Sequence, residues 1–315
     1  STFRSHKSAE LYYVPTYANR RLTAVLRKLL ALAGPMARLL GADAGRIERG
    51  KQFFLNMVDG TNDAANDYRV LVAADNGRPP GLLDLSESDY GAPMEHFSFE
   101  GRRYSRSFLR YLTGLAYLKK AVDAEGLETA LEIGVGFGTL GEILASLRDR
   151  EGFYVNVDIP PLAFVATRYL QAVLGESAVA GYDLTRDMDV IDLEDLRRKH
   201  RAVVLCSWQL PRVRGMVDLF VNFASFQEME PHVVQNYVRR VQPLTRRWVL
   251  LNNRAAGKPV AGQPGQLGVE QPTVRSHYLG FFSEFELVCA DTIAFGRQNL
   301  GGNPVEMMLL RRKGV

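Results

Sequence analysis

Cysteine is nearly absent: Cys206 and Cys289 are the only two in 315 residues, each set in an apolar segment. With no second metal-ligand type at useful spacing, they exclude a disulfide framework and a zinc site. Long apolar runs are missing too. The most apolar N-terminal stretch, residues 22–40, is interrupted by Arg27, Lys28, Pro35 and Arg38, so it falls short of the roughly 20 apolar residues that a membrane span needs. The basic start is not followed by an apolar run and a small-residue cleavage site, so no signal peptide is expected and the chain reads as cytoplasmic. Neither charge sign dominates. Lys and Arg total 39 against 35 for Asp and Glu, a net +4 with the signs mostly interspersed, which offers little to a polyanion. There is no basic and aromatic strip of the kind that lines a nucleic-acid groove, no internal repeat and no low-complexity tract. Neither nucleic acid nor membrane is expected as a partner.

What is present is a globular composition, 46% hydrophobic and 23% charged, in a chain long enough for about two domains at roughly 150 residues each. Over residues 19–57, Leu and Ala recur at helical spacing, which predicts two or three short amphipathic helices broken near Gly34-Pro35 and Gly41. Residues 59–93 are rich in Gly, Asn, Asp and Pro and read as an ordered loop or linker. The expected organisation is therefore a helical N-terminal cap and linker over residues 1–95 and a second domain over residues 96–315. Residues 104–122 predict a helix with Phe108, Leu112, Leu115 and Leu118 on one face and a serine cap near its start. Short apolar runs then alternate with helical patterns. Strands are expected at 131–133, 153–157, 202–206, 219–222 and 248–251, and a helix at 161–174; residues 285–289 and 305–310 form a closing antiparallel pair. This alternation predicts an α/β, doubly wound sheet. The Asp-rich stretch 183–195 reads as a solvated loop leading into a helix.

The most informative segment is Ala130-Leu-Glu132-Ile-Gly134-Val-Gly136-Phe-Gly138-Thr-Leu-Gly141, a strand that runs into a glycine-rich turn and then a helix. Lacking a Cβ, Gly134 and Gly136 let a ligand approach the main chain, and Gly138 permits tight packing where the helix starts. A polar cofactor can then sit against the backbone amides of that start. The spacing is G-x-G-x-G rather than the dinucleotide G-x-G-x-x-G, and Glu132 stands two positions before the first glycine. A carboxylate there suits the cationic amino group of a methionyl moiety and repels a pyrophosphate. The reading is S-adenosylmethionine, with NAD or a purely structural turn as the alternatives. Asp158 ends the second strand twenty residues past Gly138, where its two oxygens can accept both ribose hydroxyls.

The runs Leu131-Glu-Ile-Gly-Val-Gly-Phe-Gly138, Val157-Asp158-Ile159-Pro160 and Asn222-Phe-Ala-Ser225-Phe226-Gln227-Glu228-Met229, with the approach segments Gly91-Ala-Pro93 and Tyr104-Ser105, resemble the sugar O-methyltransferase family of bacterial natural-product and polysaccharide gene clusters. The likeness covers about residues 90 to 310. It implies a Rossmann-like class I methyltransferase sheet, with seven strands and an antiparallel last strand, behind the helical N-terminal cap. It also implies methylation of a hydroxyl on a sugar or sugar-containing small molecule.

Methyl transfer is an in-line displacement, so orientation supplies much of the rate and a positioned base adds about 10² to 10⁴. Glu228 is one candidate base: burial between Phe226 and Met229 would raise its pKa toward neutrality, unless it is a structural carboxylate. His232 is either a base or the residue that opens a helix after Pro231. His277, beyond the Gly/Pro-rich stretch 255–272, either reaches over the site in a lid or lies on a helix surface, and His96 near the linker is a further candidate. For the cofactor, Tyr104, Ser105 and Arg110 at the helix start can close over the methionyl carboxylate, Arg110 being otherwise solvated. Ser207 and Trp208 follow the third strand, where Trp208 either stacks on the adenine or sits in the core. Ile159 adjoins Asp158, and Asn222 bounds the pocket, orients the acceptor or caps its strand. The Asn/Asp-Pro-Pro-aromatic pattern of base-flipping enzymes is missing after the fourth strand, as is the acidic pair of magnesium-dependent relatives, so no metal is expected. The alternatives to a sugar acceptor are a phenolic, carboxylate or amine group of another metabolite, or a catalytically silent cofactor-binding protein. A homodimer is allowed for.

Overall fold

The computed structural model describes residues 60–91, 93, 96–122, 127–134, 136–147, 152–263, 268–291 and 305–314, with scattered positions between 25 and 51. The helices expected over 19–57 lie largely outside the described residues, although positions 28–32 and 47–51 are helical. The chain divides into two compact units, Ser1–Val72 with Ser86–Arg110, and Ala73–Leu85 with Tyr111–Val315.

In the first unit, helix α1 (Thr61–Ala74) corrects the reading of 59–93 as loop. Its run TNDAANDYRVLVAA carries Asn and Asp in the opening turns, where such residues suit a helix start, and the apolar Leu71 and Tyr68 behind them are buried. The Asn76-Gly77 and Pro79-Pro80-Gly81 signals begin only after the helix ends. A hairpin, β1 (Phe97–Phe99) and β2 (Arg102–Tyr104), follows. Tyr68 stacks on Phe99 with ring centroids 4.7 Å apart and meets Tyr104 at 5.5 Å. Helix α2 (Arg106–Ala121) starts here, capped by Ser105, whose Oγ accepts from the Phe108 N–H at 3.1 Å.

The second unit holds an eight-stranded sheet of order β11-β12-β10-β9-β3-β4-β7-β5. Its strands are β3 (Thr129–Ile133), β4 (Phe153–Asp158), β5 (Val179–Ala180), β7 (Ala202–Cys206), β9 (Val217–Phe223), β10 (Thr245–Arg254), β11 (Phe285–Asp291) and β12 (Val305–Arg312). All neighbours are parallel except β12, which inserts antiparallel between β10 and β11. The Rossmann-like architecture and the antiparallel finish are as the sequence predicts. The count is eight rather than seven because the two-residue edge strand β5 is too short to leave a periodicity. Helices α3 (Thr139–Ser146), α4 (Pro160–Leu174), α7 (Pro231–Val241) and α8 (Arg275–Phe281) flank the sheet. The Asp-rich stretch is more ordered than expected. It forms the short helix α5 (Tyr182–Thr185), strand β6 (Ile191–Asp192), paired with β8 (Val213–Arg214), and helix α6 (Leu193–Arg197). Asp192 caps α6 by accepting from the Glu194 and Asp195 N–H groups.

The two faces of the sheet differ in chemistry, because alternate strand residues point to opposite sides. Leu131, Ile133, Val155, Val157, Val203 and Leu205 join Val234 and Val238 of α7 and Tyr278 of α8 in one apolar core. The opposite face carries Glu132, Tyr154, Asn156 and Asp158, all buried, under α2, α3 and α4. A buried polar face beneath a glycine turn is a place where a sheet can hold a polar ligand.

Candidate functional site

The turn between β3 and α3 is built from backbone that only glycine adopts without strain: Gly134, Gly136 and Gly138 have φ of 72°, 66° and 101°. Their surroundings differ. A Cβ on Gly134 would lie 2.1 Å from Ser225 Oγ, and one on Gly138 would lie 3.1 Å from Leu170, whereas one on Gly136 would meet nothing within 4 Å. Gly134 is therefore held to glycine by packing against Ser225 as well as by its backbone, and Gly136 is the open cradle.

Asp158 braces this cradle. One carboxylate oxygen accepts from the Gly136 N–H at 3.1 Å and the other from the Ile159 N–H at 2.7 Å. Beside the carboxylate, Ile159 is half-exposed, and Cys206 stands opposite Asp158 on β7. Burial first, and the Asp158 charge second, push the Cys206 thiol up from its ordinary pKa. Ser207 and Trp208 follow on the next turn. Trp208 is 52% exposed and meets Tyr182 edge-on at 6.0 Å, which removes the core alternative. Ile159, Trp208 and Tyr182 thus line the carboxyl ends of three adjacent strands, β4, β7 and β5, with apolar side chains.

Glu132 is fully buried, and its two oxygens accept from the Tyr111 hydroxyl at 2.6 Å and the Tyr154 hydroxyl at 2.7 Å. The side chain lies beneath the turn, held by two phenols. Burial, and then the neighbouring charge of Glu132, hold the Tyr154 pKa well above its ordinary value, so that phenol stays a donor. Tyr111 also stacks on Phe223 at 4.9 Å and 8°. Neither tyrosine was read from the sequence, since α2 and β4 meet at Glu132 only in three dimensions.

At the end of β9, Asn222 spends both amide hydrogens inside the protein, on Ile133 O at 2.9 Å and Ser225 Oγ at 2.6 Å. Its Oδ1 accepts from the Phe226 N–H and from Asn253 Nδ2 at 3.1 and 3.0 Å. It is the strand-end cap among its three readings. Ala224 takes φ 66°, a left-handed turn that brings Ser225 back under Gly134. Asn253 and the buried Gln227 complete the network, Asn253 Oδ1 accepting from the Gln227 N–H at 3.2 Å and Gln227 Oε1 from the Arg254 N–H at 2.7 Å.

The three candidate bases stand in different surroundings. Glu228 is exposed and ion-paired with Lys258, because Phe226 and Gln227 take the buried positions of its turn. Its expected burial is thereby corrected. His232 is exposed in the first turn of α7 behind Pro231. His277 caps α8: its Nδ1 accepts from the Val274 N–H at 3.2 Å and its ring stacks on Phe281 at 5.8 Å. This is the helix-surface reading of His277. His96, Tyr104 and Arg110 belong to the first unit. His96 meets Glu87 at 3.2 Å and Asp89 at 3.5 Å, and Tyr104 is a fully buried core aromatic. Among the described residues there is no group of three or more His, Cys, Asp or Glu able to hold a metal ion, and no helix long and apolar enough to cross a membrane.

No protein-family model and no curated protein matches the chain. Among solved structures, it is similar to the mitomycin 7-O-methyltransferase MmcR, at 15% identity and TM-score 0.39, over 79% of this chain and 66% of that one, so it spans just under two thirds of that enzyme's length. It is also similar to the magnesium protoporphyrin IX methyltransferase of Synechocystis PCC 6803 with bound SAH, at 13% identity and TM-score 0.44, over 65% of this chain and 83% of that one. A third is an S-adenosylmethionine-dependent methyltransferase of Clostridium acetobutylicum ATCC 824, at 9% identity and TM-score 0.42, over 63% and 89%. With superpositions this loose, the chemistry of the site follows from its own residues.

Proposed function

We propose that the chain is an S-adenosylmethionine-dependent O-methyltransferase acting on a hydroxyl of a sugar or sugar-containing small molecule. The observation that carries the reading is the open cradle at Gly136, tied by its N–H to the strand-end carboxylate of Asp158. A nucleoside fits there: Asp158 accepts the ribose hydroxyls, and Ile159 and Trp208 offer apolar surface to the base. The G-x-G-x-G spacing of the turn, with Glu132 two positions before its first glycine, favours a sulfonium nucleoside over a dinucleotide with its pyrophosphate. When bound, S-adenosylmethionine supplies a methyl group already activated for displacement.

The protein then has to hold the acceptor oxygen in line, exclude water and remove a proton. The carboxyl ends of β9 and β10 suit a hydroxylated acceptor, since Asn252, Arg254, Glu228 and Lys258 stand there beside Phe223. Glu228 is the proposed proton acceptor, its side chain fixed by Lys258. Glu132, held by two tyrosines, acts as a positioning residue that keeps β3 and the turn in place.

Calorimetric titration with S-adenosylhomocysteine and, separately, NAD tests this. Micromolar binding of the first alone is expected, and Asp158→Ala should weaken it at least tenfold. Binding of NAD instead, or of neither, would overturn the reading.

A further inference from the structure

Along the carboxyl edge of the sheet, on the face that carries Glu132 and Tyr111, the register lines up one row of residues. Cys206 is opposite Asp158. Gly134 follows the pair Ile133 and Val157 and donates its N–H to Val157 O at 3.0 Å, so it stands level with Asp158. Continuing the register in which Glu132 faces Val221 puts Phe223 beside Gly134. Asn252 is opposite Phe223 on β10, and Met307 is opposite Asn252 on β12. The row therefore runs Cys206, Asp158, Gly134, Phe223, Asn252, Met307.

Its members fall into two halves. Asp158 and the glycine turn form the cofactor half. On the other side, the Phe223 ring is closed off by the stacked Tyr111, and Met307 is apolar and buried. Asn252 is the polar member left in that half. It is 7% exposed, yet its carboxamide makes no hydrogen bond among the described residues, although its main-chain oxygen accepts from the Ala224 N–H at 2.8 Å. Its neighbour Asn253 contrasts with it, since alternation turns Asn253 to the opposite face, into the network with Asn222 and Gln227. Although the residue is nine-tenths buried, neither carboxamide atom is among the polar atoms sealed from solvent without a partner, so the group keeps a narrow opening in which a ligand can take over the hydrogen bonds that water otherwise makes. Strand spacings of roughly 4.8 Å put Asn252 about 10 Å from Gly134 and about 14 Å from Asp158, beyond the ribose-binding end and within the span of a nucleoside and a small acceptor laid end to end.

We propose that Asn252 is the residue that binds and orients the acceptor, and that the acceptor presents it with a pair of neighbouring neutral hydroxyls. A carboxamide offers one acceptor oxygen and two donor hydrogens on a fixed plane. That pattern matches a vicinal diol, in which one hydroxyl donates and the other accepts, better than it matches a carboxylate, which needs donors only, or an ammonium, which needs acceptors only. The assignment rests on the methyltransferase reading and sharpens it: discrimination among acceptors lies with a neutral side chain at the end of β10, and proton removal lies elsewhere.

The test uses binding rather than turnover. The full chain is saturated with S-adenosylhomocysteine, and methyl α-rhamnoside, methyl α-glucoside and methyl α-mannoside are titrated in turn and followed by saturation-transfer NMR. At least one of them is expected to bind the wild type, with Kd about tenfold weaker in Asn252→Ala, as for loss of a buried hydrogen-bonded pair. Asn252→Ser, which keeps a donor and an acceptor, should recover part of the affinity. S-adenosylhomocysteine should bind all three proteins within twofold, which also certifies their folding; if Asn252→Ala fails that check, Asn252→Ser carries the comparison. Unchanged sugar affinity in the folded variants, or no sugar binding by the wild-type complex, overturns the assignment while leaving the cofactor reading intact. Failure of S-adenosylhomocysteine to bind the wild type would instead remove the methyltransferase reading itself.

Discussion

A single methyl group at Gly134 meets two separate obstacles. The backbone there has φ 72°, which costs an L-residue about 1 kcal/mol or more, and the added Cβ would come within 2.1 Å of Ser225 Oγ. Gly134→Ala should therefore lower stability by about 2 to 4 kcal/mol, read as a fall in the thermal midpoint. Combining it with Ser225→Gly should recover part of the loss, because only the packing obstacle is relieved. Gly136 meets only the first obstacle, since its Cβ would point into open space. The three glycines look alike in the sequence and do three different things in the structure.

Helices α2 and α8 each contain a glycine with opposite expectations. Gly114 lets α2 approach β9 so closely that a Cβ would stand 2.4 Å from the Phe223 ring. That approach is also what brings Tyr111 onto Phe223 and its hydroxyl to Glu132. Gly114→Ala should cost about 1 to 3 kcal/mol by overpacking and should weaken S-adenosylhomocysteine binding through the displaced Tyr111. Gly280 in α8 has nothing within 4 Å of its would-be Cβ, so Gly280→Ala should raise stability by about 0.5 to 1 kcal/mol on helix propensity alone. Denaturant unfolding of the two variants side by side checks both signs. An increase for Gly114→Ala would mean that α2 does not pack on β9 as described.

For the molecule as a whole, the pH dependence of stability has a contributor in Glu306 at the start of β12. Its side chain is 1% exposed, one oxygen accepts from Arg275 at 2.7 Å, and the other has no hydrogen-bond partner. Burial pushes its pKa up, and the Arg275 charge only partly opposes this. A carboxyl whose folded pKa lies above its unfolded value binds more protons in the folded state, so stability falls as pH rises through that window. Above about pH 4.5, the ordinary value for this carboxyl, the wild type should lose stability relative to Glu306→Gln as pH increases. Unfolding free energies of both proteins at a series of pH values measure this. A difference that stays flat, or grows the other way, would show that Arg275 compensates the burial in full.

The sequence by itself determined the parts that depend on local pattern. Strand and helix periodicity gave the order of elements, and the G-x-G-x-G spacing marked the turn after β3. The acid at the end of the second strand, Asp158, was placed by the strand pattern, and the structure sets it beside the turn, bonded to the Gly136 N–H. The signal failed where partners come from distant segments. Nothing near Glu132 in the chain announces Tyr111 or Tyr154. Whether Glu228 or Gln227 turns inward is decided by packing around the turn after β9, and Asn252 and Asn253 are identical neighbours until the pleat sends them to opposite faces. Only the tertiary structure decided which polar groups are satisfied inside the protein and which are not, since hydrogen bonding across strands and helices is a property of the assembled sheet rather than of any run of residues.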